Sequence, residues 1–175
     1  MKNLFLTFLC FGLILTSCDD NDDNLDFVTV ASTFEEVVDF TSADGFIASE
    51  FIDIPNNINV TNGEVPLVFL LDPSTTGPNG EDVFEPITRT FFFDDGGFAE
   101  YRFNFSVASL NDGGGVIDIE LVLESDDFDA LGPAFTDNQI FRIVIVPSFF
   151  AEANPDISFE ELQSQFDLEI ENLKN

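Results

Sequence analysis

From Phe98 to Val107 the chain alternates without a break: Ala99, Tyr101, Phe103, Phe105 and Val107 are apolar, while Glu100, Arg102, Asn104 and Ser106 are polar. A period of two marks a strand with one buried face. Residues 116 to 124 repeat the pattern, with Ile117, Ile119, Leu121 and Leu123 set against Asp118, Glu120 and Glu124. Only Val122 and the end residue Val116 break it. Joined through Asn111-Asp112-Gly113-Gly114-Gly115, the two strands can pair with Val107 opposite Ile117, Phe105 by Ile119, Phe103 by Leu121 and Tyr101 by Leu123. A slip of one residue would turn the acids into the core, so the pattern fixes this register. Arg102 then lies diagonally between Glu120 and Glu124 on the outer face, an exposed pairing worth at most about 1 kcal/mol.

The preceding segment, Phe91-Phe92-Phe93-Asp94-Asp95-Gly96-Gly97-Phe98, carries the Asp-Gly signal of a turn between strands. A two-residue loop would place Arg89 opposite Arg102. Like charges across a ladder are unfavourable, which predicts a bulge or a longer loop. Further strands are expected at 27 to 32, 35 to 40, 46 to 54, 58 to 61, 65 to 71, 83 to 89 and 140 to 146, all rich in β-branched and aromatic residues. Residues 65 to 71 (VPLVFLL) and 140 to 146 (IFRIVIV) are almost continuously apolar, as strands covered on both faces are. Pro66 falls near a strand start, where a missing donor is tolerated. The stretch 72 to 82, with Pro73, Gly77, Pro78 and Gly80, reads as a long loop of the kind that carries function.

After Pro147 the period changes. Ser158 and Glu161 have capping-box spacing, and Phe159, Leu162, Phe166 and Ile170 recur at helical intervals, predicting a helix over about 158 to 172. Up to ten strands and a terminal helix define a mainly β fold. The expected form is an antiparallel β-sandwich, Ig-like in general build, with a C-terminal α-helix; a partly open β-barrel is the alternative. No repeat or second boundary divides residues 27 to 175, which are expected to form one domain.

The first 24 residues follow different rules. Met1, Lys2 and Asn3 precede an apolar run from Leu4 to Leu15, shorter than the roughly 20 residues that cross a bilayer but of signal-peptide length. Leu15-Thr16-Ser17-Cys18 resembles the lipobox of bacterial lipoproteins. That resemblance implies cleavage between Ser17 and Cys18, a diacylglycerol on the Cys18 sulfur and an acyl group on its new amino terminus. Two or more acyl chains make anchoring stable where one is marginal. Residues 1 to 17 are then signal peptide, and 18 to 26 a lipidated Cys with an acidic tether too charged to bury anything. Residues 19 to 26 reach at most about 28 Å at roughly 3.5 Å each.

Acids directly after the Cys (Asp19-Asp20-Asn21-Asp22-Asp23) also resemble the surface-export signal of Bacteroidota lipoproteins. This implies an outer-membrane, surface-exposed location. The alternative is a periplasm-facing or inner-membrane lipoprotein, since Asp after the Cys resembles the enterobacterial retention signal. In build, the chain is similar to small Bacteroidota surface lipoproteins.

Composition then removes most chemistry. There are 34 acidic side chains against 5 basic ones, a net charge of −29. Such a surface repels phosphate backbones, which excludes nucleic acid as a partner. With no His, the Ser-His-Asp and Cys-His mechanisms and His-ligated zinc are excluded. Of two cysteines, Cys10 lies in the leader and Cys18 takes lipid, leaving no disulfide or thiolate site in the domain. The chain has no Trp and one Tyr but 23 Phe, and those outside the leader are expected to fill the core.

Three candidate sites remain. Asp94, Asp95, Asp112, Asp126, Asp127 and Asp129 sit at predicted loops and offer oxygen ligands suited to Ca²⁺, although Asp beside Gly is also the usual turn former. Arg89 and Arg102 would form an anion site if paired. Glu100, Asp118, Glu120 and Glu124 alternate outward and could supply the two carboxylates of a glycan hydrolase, or simply a solvated face. The expected function is therefore a lipid-anchored, non-enzymatic envelope or cell-surface module for binding, adhesion or accessory duty, with a membrane and a protein or glycan as partners. An extracytoplasmic carboxylate hydrolase is its rival.

Overall fold

The computed structural model describes residues 31–41, 45–107, 116–166 and 168. The expected signal peptide and tether with Cys18, the expected strand at 27 to 32 except its last two residues, and Asp112 lie outside them. The strands are β1 (Ser32–Val38), β2 (Ile47–Ile52), β3 (Glu64–Thr76), β4 (Asp82–Pro86), β5 (Arg89–Phe92), β6 (Phe98–Val107), β7 (Val116–Ser125) and β8 (Gln139–Pro147). Of three short α-helices, α1 (Pro133–Thr136) lies between β7 and β8, while α2 (Ser148–Ala153) and α3 (Phe159–Phe166) follow β8. One antiparallel sheet has the order β1-β8-β3-β4 and the other β2-β7-β6-β5. Two separate sheets make a sandwich, not a barrel. What it shares with the expected Ig-like build is two antiparallel layers; among the described strands the first, β1, pairs with the last, β8.

The β6–β7 ladder has the register set by its alternation: Tyr101 faces Leu123, Phe103 faces Leu121 and Phe105 faces Ile119. Only the end differs. A shift after Ser106 puts Val107 opposite Val116. Val122, off pattern in the sequence, points outward beside Ser49 and Arg102 yet is buried; the arginine stem can cover it while its head reaches Glu124 at 3.4 Å. In β5–β6 the pairs are Phe92 with Phe98 and Arg89 with Tyr101, the longer loop that keeps the arginines from facing each other.

β3 and β8 are central and are covered on both faces, as their continuous apolar character requires. Phe141, Ile143 and Ile145 of β8 join Val68 and Leu70 of β3 in the core between the sheets. Val144, Val146 and Phe69 point the other way and pack with Ile157, Phe159 and Leu162 around α3. Arg142, the polar exception in β8, lies over the Phe84 ring at 3.7 Å and donates to Glu35 at 3.1 Å.

Three expectations are corrected. Residues 58 to 61 form no strand; the segment turns at Pro55, whose carbonyl accepts from Ile58 N, and Ile58 and Val60 only pad the core. The supposed long loop at 72 to 82 is a hairpin: β3 runs on to Thr76 and meets Asp82 of β4 beyond a register shift after Leu71, so the turn is confined to residues 77 to 81. The expected strand at 83 to 89 is two strands, because the chain leaves one sheet after Pro86 and enters the other at Arg89. The capping box is present, with Ser158 N donating to Glu161 Oε2 and Glu161 N to Ser158 Oγ. The helix it starts spans eight residues.

The chain enters β1 at Ser32, at the pole shared with the start of β3, the end of β8 and the free end of the β6–β7 hairpin. We call this the near pole. The far pole carries the β5–β6 turn and the β7–β8 connection. β8, nine residues long, separates the poles by about 30 Å.

Candidate functional site

At the far pole, the β5–β6 turn and the connection from β7 to α1 enclose a cleft of about 430 Å³. Phe93, Leu131 and Phe135 line it on the apolar side, and Asp95, Asp126 and Asp127 on the polar side. The rings of Phe93 and Phe135 meet edge to face at 5.3 Å. α1 is only one turn long, with Pro133 at its start, and side chains hold it in place. Tyr101 Oη donates to the Phe135 carbonyl at 2.6 Å and lies 3.2 Å from Gln139 Oε1, while Gln139 Nε2 donates to the Ala134 and Asp137 carbonyls. Burial, and then the nearby Asp72 charge, push the Tyr101 hydroxyl far up, so it stays a neutral donor.

Each carboxylate of the cleft is tied to the turn that carries it. Asp95 Oδ1 accepts from Gly97 N, Asp126 Oδ1 from Phe98 N, and Asp127 Oδ1 from Ala130 N. The Asp126 bond is long-range and fastens the β7–β8 connection to the start of β6. Gly97 explains how the two acidic loops come together. A methyl group there would lie 3.1 and 3.3 Å from the Asp126 oxygens and 3.3 Å from Asp95 Oδ1. The carboxylates of Asp95 and Asp126 thus flank a position that only a glycine leaves open.

Among the expected Ca²⁺ ligands, Asp95, Asp126 and Asp127 share this cleft, Asp94 and Asp129 are exposed on its flanking turns, and Asp112 lies outside the described residues. Among the described residues no three acidic side chains are grouped so as to hold a metal ion. Arg89 and Arg102 form no anion site, because they lie on opposite faces of their sheet. Arg89 Nε is 2.6 Å from Glu85 Oε2, off the line of a hydrogen bond, and its Nη2 is 3.6 Å from Asp72. Burial acts to raise the Asp72 carboxyl, but hydrogen bonds from Ser74 and Thr75 and the Arg89 charge outweigh it and hold the group below its ordinary value.

The outward acids are matched across their strands: Glu100 with Thr90, Glu124 with Arg102, Glu120 with Asn104 and Asp118 with Ser106. A carboxylate the sequence did not single out is the one shifted upward. Glu36, on edge strand β1, shares the core-side face with Phe34 and Val38, and burial, then Asp53, raise it above its ordinary value. An inward acid on an edge discourages pairing with another chain. In linkage terms the folded chain holds this proton more tightly than the unfolded one. The stability it contributes is present below the ordinary carboxylate range and is lost as pH rises through the raised value. Glu36→Gln should therefore flatten the stability curve between about pH 4 and 7 and gain less than about 1 kcal/mol at neutral pH. Urea melts of both chains across that range check this; a constant difference between them would contradict it.

The architecture is an antiparallel two-sheet sandwich with an acid-rimmed cleft between the β5–β6 turn and the β7–β8 connection. In comparisons with known proteins, no family model, curated protein or solved structure matches the chain.

Proposed function

We propose that this chain is a lipid-anchored, non-enzymatic binding module of a bacterial envelope, tethered through acylated Cys18 to the outer membrane and facing the outside. The observation that carries the reading is the position of the cleft: it opens at the pole opposite the one where the chain arrives from the tether. Exposed Phe46 and Phe92 lie on the same far pole. Aromatic side chains beside a half-apolar cleft suit a protein or glycan partner. The acid rim and the net charge of −29 favour partners with a basic surface.

A second reading draws on Asp95 and Asp126, which share the cleft over Gly97 and could serve as the carboxylate couple of a glycan hydrolase. Binding is preferred because a general acid of that kind is made by burial, and both side chains are exposed.

Affinity capture of the tagged, acylated chain from its own solubilised envelope tests the reading. A recurring partner should be recovered, and the Phe46→Ser/Phe92→Ser double variant should lose it while keeping the fold, since both rings are mostly in water. Recovery identical to an untagged control would count against binding. Glycan cleavage abolished by Asp126→Asn would transfer the case to the hydrolase. Facing is checked by placing one thiol at Asp94: with Cys18 acylated, an impermeant maleimide should label Asp94→Cys on intact cells, and labelling only after permeabilisation would place the module in the periplasm.

A further inference from the structure

We infer that the free edge of β2 is a strand-docking site, at which an extended basic segment of a partner protein adds itself to the β2-β7-β6-β5 sheet; this edge is separate from the cleft and does not depend on the anchor. Backbone alternation sets what the edge offers. Phe46 O accepts from Ser125 N at 2.9 Å, so along the β2–β7 ladder residues 46, 48, 50 and 52 turn their polar backbone groups to β7. Ile47, Ser49 and Phe51 turn theirs away from it, and among the described residues no strand pairs with that side. Their side chains share the outer face of the sheet, where Ile47 is 40% and Phe51 71% exposed on either side of the exposed Ser49. The edge thus offers backbone donors and acceptors beside a notch between two apolar side chains.

The other edges are blunted. β5 has four residues, β4 has five and ends in Pro86, and β1 turns Glu36 inward, each a device against pairing with another chain. β2 keeps an unshifted register over all six residues and contains no proline. Its single charge selects the partner. Glu50 stands exposed on the side facing the opposite sheet, and Asp53, just past the strand, lies near Glu36 of β1. A strand beside β2 therefore meets apolar side chains on one face and carboxylates on the other. Alternating apolar and basic residues satisfy both: an apolar one opposite Ser49, between Ile47 and Phe51, and a lysine or arginine opposite Glu50. A second copy of this chain fits less well. With Ser49 opposite its twin, the two Glu50 side chains lie diagonal to each other, and each chain carries a net charge of −29.

The full chain, purified in non-ionic detergent, is titrated into a fluorescein-labelled peptide of four Lys-Val repeats at about 0.15 M salt, where bare charge attraction is screened. Anisotropy should show this peptide bound about tenfold more tightly than one of the same composition with its lysines and valines in two blocks. A copy methylated at its backbone nitrogens should lose that advantage. Phe51→Ser and Ser49→Pro should each weaken the alternating peptide about tenfold while the chain stays folded, the proline being tolerated because its nitrogen faces away from the sheet. Phe92→Ser on β5 should change nothing. Equal affinity for the alternating and block peptides would reduce the effect to net charge, undiminished binding of the methylated copy would remove strand addition, and no binding of the alternating peptide would dispose of the site; each overturns the proposal. A dimer in sedimentation equilibrium that Phe51→Ser dissolves also overturns it, since the edge would then belong to a second copy.

Discussion

Phe141→Ala should cost the domain about 3–5 kcal/mol, the usual range for removing a buried phenylalanine ring. The side chain is fully buried on the core face of β8. It lies between Glu36 of β1 and Leu70 of β3 in the ladders and meets the rings of Phe40 and Tyr101, each at 6.1 Å. Those two rings lead to the far pole. Phe40 N donates to the Thr136 carbonyl and Tyr101 Oη to that of Phe135, so both ends of this aromatic group hold α1, one wall of the cleft. A void at Phe141 should therefore loosen the cleft before the sandwich unfolds. Against a total stability of roughly 5–15 kcal/mol, the loss corresponds to a melting temperature lower by roughly 10–20 °C. Thermal and urea melts give the number, with Phe92→Ala as an exposed control expected to stay within about 0.5 kcal/mol. A Phe141→Ala cost under about 1 kcal/mol would mean the core is not packed as described.

The parts of this fold legible in the sequence are those where local pattern and tertiary demand coincide. In β6 and β7 every second residue is apolar on one face, and the alternative register would bury Glu120 and Glu124, so one answer was available. The doubly covered strands were legible for the same reason: helix α3 needs an apolar outer face on β8, and Val144 and Val146 supply it. Where a residue's role depends on distant chain, the pattern misleads. Residues 58 to 61 have strand composition but, among the described residues, no strand to pair with. The hairpin at 72 to 82 looked like loop because Pro73, Pro78 and two glycines dominate it. In the structure, Asp72 is buried against Arg89 and Ser74, and β3 continues past it. The helices α1 and α2, of four and six residues, are too short for a 3.6-residue period to declare itself.

The same division holds at the cleft. Asp95 and Asp126 were each legible as turn acids beside or near glycine, and each does accept from a nearby or incoming backbone N–H. Their meeting over Gly97 was not legible, because it depends on the β7–β8 connection folding back onto the start of β6, about thirty residues away in the chain. Gly97 itself carried a weak signal. Its neighbour Gly96 has a positive φ of 92° and serves the turn, which leaves a second consecutive glycine without a conformational reason. Space for two carboxylates supplies that reason.

Cys18→Ala should abolish acyl labelling and leave a precursor still joined at Ser17, the largest functional effect expected of any single change. On the proposed lipid-anchor reading, acylation is the only cysteine chemistry left to the processed chain, since Cys10 would depart with the leader. The apolar run from Leu4 to Leu15 is shorter than a bilayer crossing requires, and among the described residues no helix is long and apolar enough to cross a membrane. The fold should be indifferent to the loss. β1 begins at Ser32, and the core is built from residues between Phe34 and Leu168, so a chain starting at Leu25 should melt cooperatively at the temperature of the anchored protein. Radiolabelled palmitate incorporation and mobility on gels report the first half, and calorimetry the second. Wild-type levels of palmitate on Cys18→Ala would remove the anchor from Cys18. A chain from Leu25 without a cooperative transition would show that the acidic stretch belongs to the domain.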